Sequence, residues 1–369
     1  MSDTPTFRYP IYTPDSSCPN VIEDWGIGES KTTTDINSAL AQPFSIAAVR
    51  VLFNSPDVFN YDPALSRVDL SEFDLVILSD IEYSQINEIK EWAEKNQIFN
   101  YVLALGGLCH TEQIDSSCMV YRPWWVYNHV LRLNEYQDTH LEQKPFLFEA
   151  LLGARRPHRD YVMMALDKTG LLDCSLVTYR DCFIGGIIDK TSQAFQERFY
   201  DTPLQWPYVS PNINPDWEVS DKITNGNVSL IVPYEIYRRT HYSIICETHG
   251  TGNVFFLAEK IAKCLFAGRI FVLFGPPNFL SKLNELGFQT WSSLIDESYD
   301  AELRDEIRFE KAMQQVMRLA WFENPKNMLW RIEAILQHNR DRFSSMQLQY
   351  KYEMYNLLHS HIPDEHWLC

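Results

Sequence analysis

The feature that most constrains this chain is a recurrence of short, nearly uninterrupted apolar runs. Ala47–Phe53 (AAVRVLF), Phe73–Ser79 (FDLVILS) and Phe99–Leu105 (FNYVLAL) are of strand length and rich in Val, Leu and Ile. Continuous apolarity predicts strands buried on both faces, as in a parallel sheet. Between the second and third runs, Ser84–Asn96 sets Ile86, Ile89 and Trp92 at helical spacing. Strand, helix and strand within ~35 residues make a βαβ unit. The first 45 residues, rich in Pro, Ser, Thr and Asp, read as an extended lead-in, and Pro123–Asn134 reads as a helix.

A polar break at Asp138–Lys144 precedes a second series. Phe146–Leu152 reads as a strand, and Pro157 suits the first turn of a helix running to Lys168. Cys174–Tyr179 is the next strand, 183–227 is loop-like, and Ser229–Val232 and Tyr242–Glu247 follow as strands. Phe256–Ala267 reads as an apolar helix and Ile270–Phe274 as a strand, and the chain beyond Asp300 is mainly helical to about His359. Two such series predict two α/β domains facing a cleft, divided as 1–140 and 141–335, with 336–369 as a helical extension. Ligands of open parallel sheets bind beyond the carboxyl ends of the strands, so the segments that follow each strand are the ones to search.

Composition narrows the classes. Of 369 residues, 45% are hydrophobic and 22% charged, which is globular rather than disordered. A net charge of −17 argues against a broad nucleic-acid-tracking face. The eight cysteines form no C-x-x-C pair and read as reduced thiols. There is no apolar run of transmembrane length and no signal-peptide pattern at the N-terminus, so a cytoplasmic protein is expected. The sequence holds no phosphate loop, complete G-x-G-x-x-G, H-E-x-x-H, G-x-S-x-G or D-x-D. Any diphosphate must then be neutralised by side chains and helix termini, and no metal or separate cofactor is expected.

Two segments can supply that neutralisation. Arg155, Arg156 and Arg159 follow a strand and open a helix, where free N–H groups and the macrodipole already favour anions. The alternative is a solvated basic turn paired with the many carboxylates. Glu247 ends a buried strand, a Thr-His-Gly-Thr-Gly loop follows, and Glu259-Lys260 opens an otherwise apolar helix. The carboxylate of that pair can accept ribose or sugar hydroxyls and the ammonium can meet a phosphate. The alternative is a Glu favoured by the helix dipole beside a Lys that snorkels. Arg239, just before the Tyr242–Glu247 strand, is either a further cation or a surface residue.

Phe256-Leu257-Ala258-Glu259-Lys260, the helix to Ala267-Gly268, the strand Ile270–Phe274 and Gly275-Pro276 together resemble the nucleotide-sugar motif of α1,3-fucosyltransferase-like enzymes. Leu286–Trp291, Ile295–Asp300 and Arg155–Arg159 are similar to segments of related glycosyltransferases, many of them viral or phage-encoded. The resemblance covers about 145 to 335. It implies a GT-B fold, two Rossmann-like domains with the donor nucleotide in the C-terminal one, and metal-independent, inverting sugar transfer. It also suggests that the helical extension packs across the N-terminal domain, and it puts the location in a host cytoplasm if the chain is viral. Ala258 departs from the family, which has a hydroxyl residue before the Glu.

On this reading Arg155, Arg156 or Arg159, with Lys260, stabilise the leaving diphosphate. Glu259 recognises donor hydroxyls, and Arg239 and Glu247 complete the donor set. Asp80, Glu82 and His110, which follow strands of the N-terminal domain, are the candidate bases, with Asp24 behind them. The acceptor is a hydroxyl of a glycan or, for a phage enzyme, of a hydroxymethylated DNA base. A nucleotide-sugar epimerase and a non-catalytic nucleotide- or glycan-binding protein are the alternatives.

Overall fold

The computed structural model describes residues 6–13, 31–55, 58–61, 68–80, 86–109, 113–123, 143–153, 156–179, 208–213, 232–322 and 325–368. The chain divides into two compact units, one of Met1–Trp124 with Met346–Cys369 and one of Trp125–Ser345. The polar break and the Pro123–Asn134 helix expected from the sequence lie almost wholly outside the described residues, as do most of 183–227 and the Ser229–Ile231 part of a predicted strand.

In the first unit the strands are β1 (Thr6–Phe7), β2 (Ile11–Tyr12), β3 (Thr32–Thr33), β4 (Ile46–Ser55), β5 (Val58–Tyr61), β6 (Leu75–Asp80), β7 (Tyr101–Leu105), β8 (Leu108–Cys109) and β9 (Met119–Tyr121). The main sheet runs β3-β2-β4-β6-β7-β9 with every neighbour parallel, and β5 lies antiparallel on β4. The sequence expectation of an extended lead-in is corrected here. Short as they are, β2 and β3 extend the sheet, and Phe7 and Ile11 are core residues.

Alternation puts Ile46 and Ala48, Leu75 and Ile77, and Val102 and Ala104 in one core with Met354, Leu357, Leu358, Ile362 and Trp367. The residues between them, such as Ala47, Val49, Val76 and Leu78, are buried as well. Burial on both sides explains the unbroken apolar runs. The terminal strand Trp367–Leu368 pairs antiparallel with β1, so the end of the chain belongs to the first unit's fold.

In the second unit the strands are β10 (Phe146–Leu152), β11 (Ser175–Tyr179), β12 (Tyr208–Val209), β13 (Thr240–Cys246), β14 (Val254–Phe255) and β15 (Ile270–Phe274). Its sheet runs β12-β11-β10-β13-β15, parallel except for β12. From β10 the chain passes through the Pro157–Lys168 helix to β11 on one side. It then returns to β13 on the other side and goes through the Glu259–Ala267 helix to β15. The strand order therefore reverses between β10 and β13, and open α/β sheets bind ligands beyond the carboxyl ends at such a reversal.

The Glu259–Ala267 helix starts three residues later than its apolarity predicts, because Phe256–Ala258 is not helical and Ala258 is the N-cap in extended backbone. Gly268 stops it in the left-handed region at φ 68°, which costs a residue without Cβ least. Two long helices follow, Asp305–Ala320 and Pro325–His361. Among the described residues no helix is long and apolar enough to cross a membrane.

Candidate functional site

The strand reversal brings together the ends of β10 and β13. Arg156 is the N-cap of the Pro157–Lys168 helix, and Pro157 takes the first position, where its missing N–H removes one unbonded donor. The Arg156 side chain makes no capping hydrogen bond to this helix. The Arg156 guanidinium donates to the Thr248 carbonyl at 2.5 Å, which ties the helix start to the loop after β13. His158 is buried, and its Nε2 lies 2.8 Å from the Glu247 carbonyl oxygen. A carbonyl only accepts, so Nε2 carries the proton and Nδ1 is the bare nitrogen. Arg159 Nη2 donates to the same carbonyl at 3.4 Å. Two residues of one helix turn therefore converge on one peptide group of the strand end.

Glu247 is 1% exposed. Its Oε2 accepts the Thr248 N–H at 3.1 Å, while Oε1 has no hydrogen-bond partner among the described residues. Burial pushes its carboxyl up to about 7, with Lys260 and Arg159 opposing and Glu259 adding to the rise. Lys260 pairs with Glu259 at 3.0 Å. Burial raises the Glu259 carboxyl, but Lys260 and Lys263 outweigh it and bring it down to about 2.

Burial, with Arg156 and Lys260, lowers His249 to about 4, and His158 is held well below its usual value by burial and Arg159. Both imidazoles are thus neutral at physiological pH. The positive charge around the end of β13 comes from Arg156, Arg159 and Lys260.

The site residues predicted from sequence divide by place. Arg156, Arg159, Glu247, Glu259 and Lys260 come together at the carboxyl end of β13. Arg239 does not join them. It precedes β13, pairs with Glu235 at 3.2 Å, and has its guanidinium 5.3 Å from the Phe146 ring centre. A seven-residue strand of ~3.3 Å per residue separates it from Glu247, so its assignment to the donor set is corrected to a half-buried ion pair at the other end of the sheet. Asp80 is the last residue of β6 in the first unit. Its side chain lies outside the described residues, as do Asp24, Glu82, His110 and Arg155.

Sequence reasoning missed three participants. His158 had only its place in a basic segment to mark it. Gly250 is required by the imidazole, since a Cβ there would stand 2.2 Å from His158 Nδ1. Arg308, buried on the Asp305–Ala320 helix, donates to the carbonyls of Gly275 (2.9 Å), Glu302 (2.8 Å) and Gly250 (3.2 Å), and it also pairs with Asp305. It thereby joins the loops that leave β13 and β15. No spacing in the sequence marks a single Arg on an amphipathic helix for this role.

Ala258 takes a new meaning. As N-cap it leaves the Glu259–Ala267 helix without a side-chain cap, at a position where a hydroxyl would accept from a first-turn N–H. Ala258→Ser is expected to raise stability by about 0.5–1 kcal/mol, read as an increase in the midpoint of thermal unfolding. No gain would mean that the first turn is already satisfied.

No protein-family model and no curated protein matches the chain. Among solved structures it is similar to T4 phage BGT in complex with UDP and Mn2+, at 11% identity and a TM-score of 0.41 over 96% of this chain and 99% of that one. It is also similar to the DNA modifying enzyme beta-glucosyltransferase, in the presence and absence of uridine diphosphoglucose, at 11% identity and a TM-score of 0.41 over 93% and 91%.

Proposed function

We propose that the protein is a glycosyltransferase that moves a sugar from a nucleoside-diphosphate sugar to a hydroxyl acceptor. The observation that carries this reading is the convergence of Arg156, Arg159 and Lys260 with two helix N-termini at the carboxyl end of β13, beside the strand reversal. A diphosphate set there meets guanidinium groups able to bind it bidentately, an ammonium and N–H dipoles. Those groups would stabilise the charge that grows on the leaving diphosphate as the sugar departs. Glu259 is assigned to donor hydroxyls, and the fucosyltransferase-like motif from Phe256 to Pro276 supports the same placement.

In this reading the donor site belongs to the second unit, and inverting transfer follows from the motif. The attacking hydroxyl is deprotonated by a group of the first unit, with Asp80, Glu82 and His110 as the bases to test. The acceptor is a glycan or a modified DNA base, and the reaction takes place in the cytoplasm, a host's if the chain is viral. The described residues hold no group of three or more His, Cys, Asp or Glu placed for a metal ion.

A thermal-shift panel of UDP, GDP, CMP, dTDP and ADP tests the reading. Ligand at ~100 times its dissociation constant adds about 2.7 kcal/mol. One nucleotide should shift the melting point, and Lys260→Ala should weaken it by roughly 10- to 100-fold, as expected for loss of a charge-assisted bond of ~1.5–3 kcal/mol. A flat panel would remove the nucleotide from the account and leave a glycan-binding protein as the better reading.

A further inference from the structure

Glu247 follows β13 directly at the proposed donor site, and the proposed function gives its carboxyl group no separate chemistry. It is a carboxylate among cations, buried, with one oxygen satisfied by the Thr248 N–H and the other without a hydrogen-bond partner among the described residues. A buried acceptor left in this way is costly, and each such group needs an explanation. The backbone around it is firmly held. Its own carbonyl takes His158 and Arg159, and the next carbonyl takes Arg156. The carboxyl group is therefore held buried beside the cationic cluster by contacts that do not use Oε1.

We infer that Glu247 Oε1 is the acceptor for a hydroxyl of the bound donor, so that this site selects a ligand carrying a hydroxylated ring next to its phosphates. The inference rests on the proposed donor site. The hydroxyl has two sources, the ribose of the nucleotide or the transferred sugar, and both offer the same O–H donor. Lys260 is the group through which access opens. It stands beside Glu247, is held by Glu259, and its side chain is 22% exposed. When its ammonium turns to a phosphate, the carboxyl of Glu247 loses a neighbouring cation and gains the ligand's hydroxyl.

The charges facing Glu247 set the pH dependence. They are Arg159 from the Pro157–Lys168 helix and Glu259 and Lys260 from the Glu259–Ala267 helix, with Arg156 bonded to the next carbonyl along. His158, His249 and Cys246 stand near and are uncharged at neutral pH. A hydroxyl donates to the ionised carboxylate, so binding favours that form and releases a proton. Affinity should rise with pH through about 7, where burial has placed this carboxyl, and level off above it.

The test is calorimetric titration of the whole protein. The first set of probes is UDP and GDP with their 2′-deoxy and 3′-deoxy analogues. The second is UDP-glucose and GDP-fucose with deoxy-sugar analogues, whose diphosphate diesters keep a constant charge between pH 6 and 8. The expected results are tighter binding at pH 8 than at pH 6 with proton release, and about tenfold weaker binding in Glu247→Gln, which keeps the side-chain shape. Removing the right hydroxyl should cost the native protein about tenfold and Glu247→Gln nothing further. A loss with deoxyribose points to the nucleotide, and a loss with a deoxy sugar points to the transferred group.

Equal affinity in Glu247→Gln, or equal losses for every deoxy analogue in both proteins, overturns the inference while leaving the donor site standing. Weaker binding at higher pH also overturns it, because it would make Glu247 a protonated donor to phosphate. Absence of binding by any nucleotide to the native protein defeats the proposed function itself.

Discussion

Arg308→Met should destabilise the second unit by about 3–5 kcal/mol, the range for breaking a buried charged network. The guanidinium serves three main-chain carbonyls, of Gly250, Gly275 and Glu302, and one carboxylate, of Asp305. Methionine fills much of the same volume and donates nothing. Each buried carbonyl left without a donor costs ~1–3 kcal/mol, and water can repay part of that at Glu302 and Asp305, which lie nearer the surface. In a unit of this size each kcal/mol moves the melting point by ~2–4 °C, so a fall of roughly 10 °C is expected in thermal unfolding. Arg308→Lys should fall between, since one ammonium cannot span the loops after β13 and β15. A loss under about 1 kcal/mol for methionine would mean that those loops keep their shape without the clamp.

Gly250→Ala is the second large effect. Its Cβ would meet His158 Nδ1 at 2.2 Å and the adjoining ring carbon Cγ at 2.4 Å. The ring cannot withdraw, because it is fully buried and its Nε2 is bonded to the Glu247 carbonyl. The loop cannot easily withdraw either, because Arg308 holds the Gly250 carbonyl. Overpacking between two fixed groups should cost about 3 kcal/mol, the upper end of the usual range. The same strain should weaken nucleotide binding at least tenfold by moving Thr248 and the Arg156 bonded to it. The double variant His158→Ala/Gly250→Ala should recover most of the loss caused by the alanine at 250, a coupling that isolates the contact. Additive losses would contradict the close packing of these two residues.

Much of the second unit was legible in the sequence because one physical pattern dominates there. Strands buried on both faces give runs such as Phe146–Leu152 and Ile270–Phe274, and both fall where the apolar pattern puts them. Pro157 marks its helix start for the same local reason. The first unit's lead-in was less legible. The two-residue strands at Thr6, Ile11 and Thr32 are too short to show a period, and their partners are distant in the chain. The late start of the Glu259–Ala267 helix was hidden because Phe256 and Leu257 are buried without being helical, which apolarity alone does not distinguish from helix.

In the candidate site, searching beyond strand ends led to Arg156, Arg159, Glu247, Glu259 and Lys260, which lie together at the end of β13. Arg239 precedes its strand, and the length of β13 keeps it from that end. His158, Gly250 and Arg308 act through main-chain carbonyls. Such contacts depend on which loops meet in three dimensions, and residue type carries no trace of them.

The most direct test of the donor site is a crystal structure of the protein with the nucleoside diphosphate selected by the thermal-shift panel. Diphosphate oxygens are expected within hydrogen-bond reach of Arg156, Arg159 and Lys260 at the start of the Pro157–Lys168 helix, with Lys260 moved from Glu259 to a phosphate. A diphosphate bound elsewhere, with Lys260 still on Glu259 and Arg156 still on the Thr248 carbonyl alone, would contradict that site.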